Sequence, residues 1–273
     1  MTNRILQDFI KYWDDVVADW FIAISKQQNP KVDKSISKFG VVSGMMPEPY
    51  WGNPENCSLV AVNINPGGGK EEQDSSGNHV MSSFENAVKA AGSYSKIALP
   101  FPLLDGVFNW KQIVPANWVP AYGGTRWWRK RYEWLKGFID ASNIKTDKKP
   151  FAIEICGWHS SSNSAARFKN FPGLDNLFLK PLREAILNSD LKLGIGICNI
   201  TSMLTADLGF KLLGAYYGSQ KNPTPAGIPN KLTAYGKNGV LQKNKRSYTV
   251  YEVTDPSMKN GARKGLLSFP DLG

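Results

Sequence analysis

The run Cys57-Ser58-Leu59-Val60-Ala61-Val62-Asn63-Ile64, closed at once by Asn65-Pro66-Gly67-Gly68-Gly69, constrains the fold more than any other stretch of this chain. A short, mostly apolar run bounded by Pro and Gly is the pattern of a strand covered on both faces, since such a strand has no solvent side toward which to alternate. The glycines after it mark a turn where the backbone must approach something closely. Phe151–Ile155 repeats the pattern and stops at Cys156-Gly157-Trp158-His159, and Leu191–Ile200 and Ser247–Val253 supply a third and a fourth strand. Helical spacing occupies the intervals at Val80–Ala91, from Arg126 to about Ser142, at Leu177–Asn188 and at Met203–Leu213. Strands separated by helices imply right-handed crossovers, which predicts an α/β fold: three layers, α/β/α, around a central parallel four-stranded sheet. Sheets of this kind bind ligands beyond the carboxyl ends of their strands.

Before the first strand, residues 3–26 place Ile5, Phe9, Tyr12, Trp13, Val16, Val17, Trp20, Phe21 and Ile24 at helical spacing, which predicts one long amphipathic helix. Gln27–Asn56 has four prolines and no period, and reads as an extended connector. A chain of 273 residues suits one large domain, with 1–45 as a helical extension and connector and 46–273 as the core. Residues 218–246 are rich in Gly, Asn, Pro and Lys and are expected to form a long basic loop. The three cysteines, Cys57, Cys156 and Cys198, lack CxxC spacing and sit in apolar stretches, so they are expected to be core thiols with no metal to hold. No apolar run approaches the roughly 18 residues of a membrane span, and the N-terminus mixes charge with apolar residues, so a cytoplasmic location is expected.

With 33 Lys and Arg against 23 Asp and Glu, the net charge of +10 favours a polyanionic partner. Nine tryptophans add aromatic faces on which bases can stack. The Gly67-Gly68-Gly69-Lys70 turn invites comparison with a triphosphate-binding loop. That pattern needs Gly five residues before its last Gly and Ser or Thr after its Lys, where this chain has Ile64 and Glu71.

Asn63-Ile64-Asn65-Pro66-Gly67 at a strand end resembles the first motif of the uracil-DNA glycosylase superfamily, with Asn63 in place of the motif's first Gly. Thr254-Asp255-Pro256-Ser257, after the last strand, resembles the His-Pro-Ser motif found there in that superfamily, and Pro47–Glu55 looks like the lead-in of its divergent members. The resemblance implies a single glycosylase-like domain without metal or organic cofactor. It implies a monofunctional DNA glycosylase acting on double-stranded DNA, with no membrane and no obligate protein partner. Asn65 would hold the attacking water, and Pro66, Gly67, Gly68 and Lys70 would approach a flanking phosphate. Ser257, Met258, Lys259 and Arg263 would contact DNA, Met258 and Lys259 filling the gap left by an extruded base.

Asp255 departs from the motif, because an ionised Asp accepts hydrogen bonds and cannot donate to a departing base. His159 is the candidate for the missing donor, and the other reading of it is a structural histidine at a helix start; His79 in its polar loop reads as solvated. Asn63, Phe84 and Glu154 are assigned to the base. Glu154 in the middle of Phe-Ala-Ile-Glu-Ile carries the substrate expectation, since a carboxylate accepts from the exocyclic amine of cytosine; the alternative is an ion pair with a neighbouring helix. The divergent motifs together with Glu154 resemble bacterial antiphage glycosylases that excise glucosylated 5-hydroxymethylcytosine. Uracil repair, or a DNA-binding module without chemistry, are the alternatives. The cations of Arg126–Tyr132 read either as a phosphate track or as a solvated helix face.

Overall fold

The computed structural model describes residues 3–28, 30, 32, 34–64, 66–67, 73–101, 103, 128, 131–132, 135–136, 139, 145–160, 165–196, 204, 208–219, 233–234 and 245–253. Helix α1 (Arg4–Ser25) starts where the Asn3 side chain accepts from the backbone N–H groups of Ile5 and Leu6, and it buries Leu6, Phe9, Trp13, Val17 and Trp20 along one face. These five belong to the same apolar cluster as the central strands, so the N-terminal helix is part of the core. A short α2 (Lys34–Ser37) follows. Helix α3 (Ser83–Ala91) begins later than its apolar spacing suggests because Ser82 and Glu85 form a reciprocal capping box. It ends at Gly92, whose φ of 83° a side chain would resist. Helix α4 (Tyr94–Ala98) is tied to α1 by Asp14, which accepts from both the backbone N–H and the hydroxyl of Ser95. Between 175 and 188 a π-helical turn, Asp175–Leu179, leads into α5 (Lys180–Asn188). Pro181 in the first turn of α5 has no N–H to donate, which suits a helix start.

Seven strands form one mixed sheet: β1 (Tyr50–Trp51), β2 (Val60–Asn63), β3 (Phe151–Glu154), β4 (Gly194–Gly196), β5 (Phe210–Ser219), β6 (Thr233–Ala234) and β7 (Lys245–Val253), in the order β1-β3-β2-β4-β7-β5-β6. The centre follows the sequence expectation, because β2 lies between β3 and β4 and is parallel to both. The fourth predicted strand does not: β7 runs antiparallel to β4, pairing Gly194 with Tyr251 and Gly196 with Thr249. The reason is β5. A helix was expected over Met203–Leu213, but the backbone turns at Gly209 (φ 79°) and enters a long strand that pairs antiparallel with β7. Tyr216 and Tyr217 of β5 also pair with Thr233 and Ala234, so the expected loop contains a strand of its own. The rest of 218–246 is outside the described residues except for the ends of β5 and β7.

The described residues of 126–142 are helical, with Trp128, Arg131 and Leu135 buried. Arg131 therefore faces the core and not a phosphate track; the other cations of this segment are outside the described residues. Cys57 and Cys156 are buried and free, as expected of core thiols, while Cys198 lies outside the described residues. Among the described residues no helix is long and apolar enough to cross a membrane.

Trp13 of α1 covers the backbone just past β3. A Cβ on Gly157 would stand 2.6 Å from the Trp13 ring and 2.7 Å from Pro49 Cβ, closer than packed carbons allow. Gly157→Ala is therefore expected to destabilise the fold by about 1–3 kcal/mol through overpacking. Urea unfolding would read this as a lower midpoint at unchanged slope, and an unchanged midpoint would mean the Trp13 contact is slack.

Candidate functional site

Asn63 and Glu154 are the last residues of β2 and β3 and are register partners, so their side chains leave the sheet on the same face. The Asn63 amide donates to Glu154 Oε1 at 2.9 Å. Beyond the strands the pairing continues, with Ile155 N–H to Asn63 O at 3.0 Å and Cys156 N–H to Ile64 O at 2.9 Å, which holds the start of the Asn65-Pro66-Gly67 turn against the chain leaving β3. The segment expected to be a connector lies along the other side of that chain. Glu154 N–H donates to Pro49 O, Glu48 N–H to Gly157 O and Val42 N–H to His159 O.

His159 closes the arrangement. Its Nδ1 lies 2.9 Å from the Gly67 carbonyl and its Nε2 lies 3.1 Å from Glu48 Oε1, with both side chains buried. A carbonyl can only accept, so Nδ1 carries a proton; Nε2 and the Glu48 carboxylate then share a second one. Burial disfavours a charged ring here, but the hydrogen bond to Glu48, the charge of Glu48, the Gly67 carbonyl and the charge of Glu85 together outweigh it and raise the His159 pKa. His159 thus clamps the motif turn to Glu48, with both ring nitrogens occupied. Gly67 itself has a φ of 95°, a conformation that requires glycine at the turn.

Glu154 is buried with no cation paired to it among the described residues, and its Oε2 has no hydrogen-bond partner. Burial pushes its pKa well above the carboxylate range, and the charge of Glu48 adds to the shift, against the single opposing hydrogen bond from Asn63. Its proton is therefore held more tightly than on an ordinary carboxyl group. Oε1 is engaged by the Asn63 amide, and Oε2 is the oxygen left without a partner among the described residues.

Among the sequence-predicted residues, then, Asn63, Glu154, His159 and Gly67 come together, with Pro66 half-buried beside them. Phe84 does not present a free face: it is buried with its ring 5.2 Å from Trp51 and 6.4 Å from Tyr94. Asn65, Gly68, Lys70, Asp255, Ser257, Met258, Lys259 and Arg263 lie outside the described residues. The approach to the second motif is described, however. Val253 lies two residues beyond Tyr251, the partner of Gly194, and so stands at the end of the sheet opposite Asn63, roughly 15 Å away along the strands.

Glu48 is the residue that sequence reasoning missed. Its place between Pro47 and Pro49 is visible in the sequence but does not by itself record what packs over the side chain. His79, expected to be solvated, instead has a buried side chain, with Nε2 3.1 Å from Glu85 Oε2 and the ring edge-on to Trp20. Burial pushes both described thiols up to about 12, so neither offers a thiolate nucleophile near neutral pH. Among the described residues no group of His, Cys, Asp and Glu is arranged to hold a metal ion.

Two raised pKa values give the site a signed pH dependence. His159 gains a partner on folding, so its contribution is full below the pKa of an unfolded histidine, about 6.5, and is lost as pH rises through the higher folded value. Glu154 binds its proton more tightly in the folded state, so stability also falls from about pH 4.3 upward until the folded value is passed. Unfolding free energy measured against pH should decline with rising pH over these windows, and Glu154→Gln should remove the Glu154 share. A profile that rises there would contradict both assignments. No family model, no curated protein and no solved structure matches this chain.

Proposed function

We propose that the chain is a monofunctional DNA glycosylase of the uracil-DNA glycosylase type, hydrolysing the N-glycosidic bond of an extruded base. The base we propose is a bulky modified cytosine such as glucosylated 5-hydroxymethylcytosine in phage DNA. The observation that carries this reading is the convergence of Asn63, Glu154 and the His159–Glu48 clamp on the Pro66–Gly67 turn, at the carboxyl ends of two adjacent parallel strands. That is where ligands bind in sheets of this kind. The order β3-β2-β4, with β2 central and followed by the Asn-Pro-Gly motif, supports a glycosylase-like core. The antiparallel β7 is a departure from the all-parallel sheet of such a core.

Breaking the glycosidic bond builds positive charge on the sugar and negative charge on the base, so the site must orient a water and stabilise an anion. An amide at Asn65 orients water without acting as a strong base, which suits a cation-like transition state needing little nucleophilic push. The positions flanking Asn65 are fixed by hydrogen bonds across β2 and β3 and by the His159 contact to Gly67. A net charge of +10 favours association with the phosphate backbone.

The direction of β7 favours one rival reading, a nucleic-acid-binding module that keeps the sheet and lacks the chemistry, because Val253, the last described residue of β7, stands at the end of the sheet opposite Asn63. Incubation with DNA containing uracil, plain cytosine or glucosylated 5-hydroxymethylcytosine, followed by mapping of alkali-sensitive sites, separates the two. The proposal expects abasic sites on glucosylated DNA. It also expects Asn65→Ala to slow their formation by about 10²-fold or more while leaving DNA affinity nearly unchanged, since the loss is confined to the transition state. Tight, salt-sensitive binding with no abasic sites on any of the three DNAs would establish the binding module.

A further inference from the structure

A departing base needs a hydrogen-bond donor, and the residues expected to supply one do not. The motif position is Asp255, an acceptor when ionised. His159 has both ring nitrogens occupied by the Gly67 carbonyl and Glu48. Among the described residues of the cluster, Glu154 Oε2 is a buried polar atom left without a hydrogen-bond partner. An unpaired polar atom in that position costs stability, so its retention calls for an explanation.

We propose, resting on the glycosylase reading, that Glu154 is the general acid for the departing base, with Oε2 carrying the proton and Asn63 fixing its position. The Asn63 amide donates to Oε1 and so makes Oε1 the carbonyl oxygen, which leaves the hydroxyl on Oε2. Among the described residues, Asn63 from β2 bonds to Glu154, and Glu48 ahead of β1 and Tyr94 of α4 are near enough to interact with its charge; none of these is a cation, and burial and Glu48 both hold the proton more tightly. A neutral acid oriented in this way matches the edge of cytosine. Oε1 accepts from the exocyclic amine and Oε2–H donates to the ring nitrogen N3. The arrangement explains why a cytosine-type base is the better fit, since its N3 has a lone pair and that of uracil carries hydrogen.

The step balances within the site. The C1′–N1 bond breaks with its electron pair going to N1, while the proton on Oε2 moves to N3, so cytosine leaves as a neutral base and Glu154 becomes a carboxylate. Water adds its oxygen to C1′ and releases a proton, which restores Glu154. Positioning falls to Asn63, and the His159 clamp fixes where Glu48 and its charge stand.

The test uses the full chain, glucosylated 5-hydroxymethylcytosine DNA and single-turnover conditions across pH. Glu154→Gln conserves shape and a donor but has no transferable proton, so it should slow excision by about 10²–10⁴-fold at unchanged DNA affinity. Wild-type rate should fall at high pH as Glu154 ionises, and the variant should lack that limb, a difference that a merely structural role would not produce. Independently of activity, the infrared difference between wild type and variant at neutral pH should show one protonated carboxyl band above the amide band. Absence of that band, or a Glu154→Gln variant matching wild type in rate and pH profile, overturns the general acid while excision by wild type keeps the glycosylase. No excision by wild type from uracil, cytosine or glucosylated DNA overturns the glycosylase reading and the role assigned to Glu154 with it.

Discussion

Two carboxyl groups, Glu48 and Glu154, are buried at the carboxyl ends of the central strands, close enough for the charge of one to raise the pKa of the other. Burying two like charges together is prohibitive unless each is neutralised. The fold places them differently. Glu48 bonds to the His159 ring, and Glu154 bonds to the Asn63 amide, with burial holding its proton more tightly. The first arrangement fixes the turn after β2, because the other nitrogen of the same imidazole holds the Gly67 carbonyl. The second leaves Glu154 Oε2 without a hydrogen-bond partner among the described residues.

The apolar core carries this polar end. Trp13 of α1 packs on Gly157, two residues from His159, so the N-terminal helix supports the clamp from below. Trp20, about two turns further along the same helix, meets the His79 ring, whose partner Glu85 caps α3 and adds to the field at His159. Tyr50, Trp51, Phe84, Tyr94 and Phe101 form a continuous aromatic cluster beside β1 and β3. Phe84 is one of its members, which is why it has no face to offer a base. The aromatic richness that suggested stacking surfaces is, in these residues, core.

The sequence made α1, β2 and β3 legible because each has a strong signal: a sustained helical period, and apolar runs cut off by Pro or Gly. Asn63, Glu154 and Gly67 were identifiable for the same reason, since polar or turn residues stand out at the end of a buried strand. The β5–β7 pairing was not legible. Leu212, Leu213, Tyr216 and Tyr217 fit a helical face as well as a strand, and only the pairing partner decides between them. Once β5 was read as a helix, β7 followed as parallel. Glu48 and His79 were missed because burial of a charged residue in a loop depends on what packs over it, and no local pattern records that. The raised pKa of Glu154 was legible only in part: burial, its largest cause, is announced by the spacing, while the added charge of Glu48 comes from more than one hundred residues away in the chain.

The protonation of His159 tests the account most directly, since the clamp, the neutralisation of Glu48 and the placement of the motif turn all depend on it. Nitrogen NMR of the labelled imidazole at neutral pH reports each ring nitrogen separately. The account predicts protons on both Nδ1 and Nε2, with the imidazolium signature persisting above the pH at which an ordinary histidine titrates and disappearing earlier in Glu48→Gln. A neutral ring with one bare nitrogen at neutral pH, unaffected by Glu48→Gln, would contradict it.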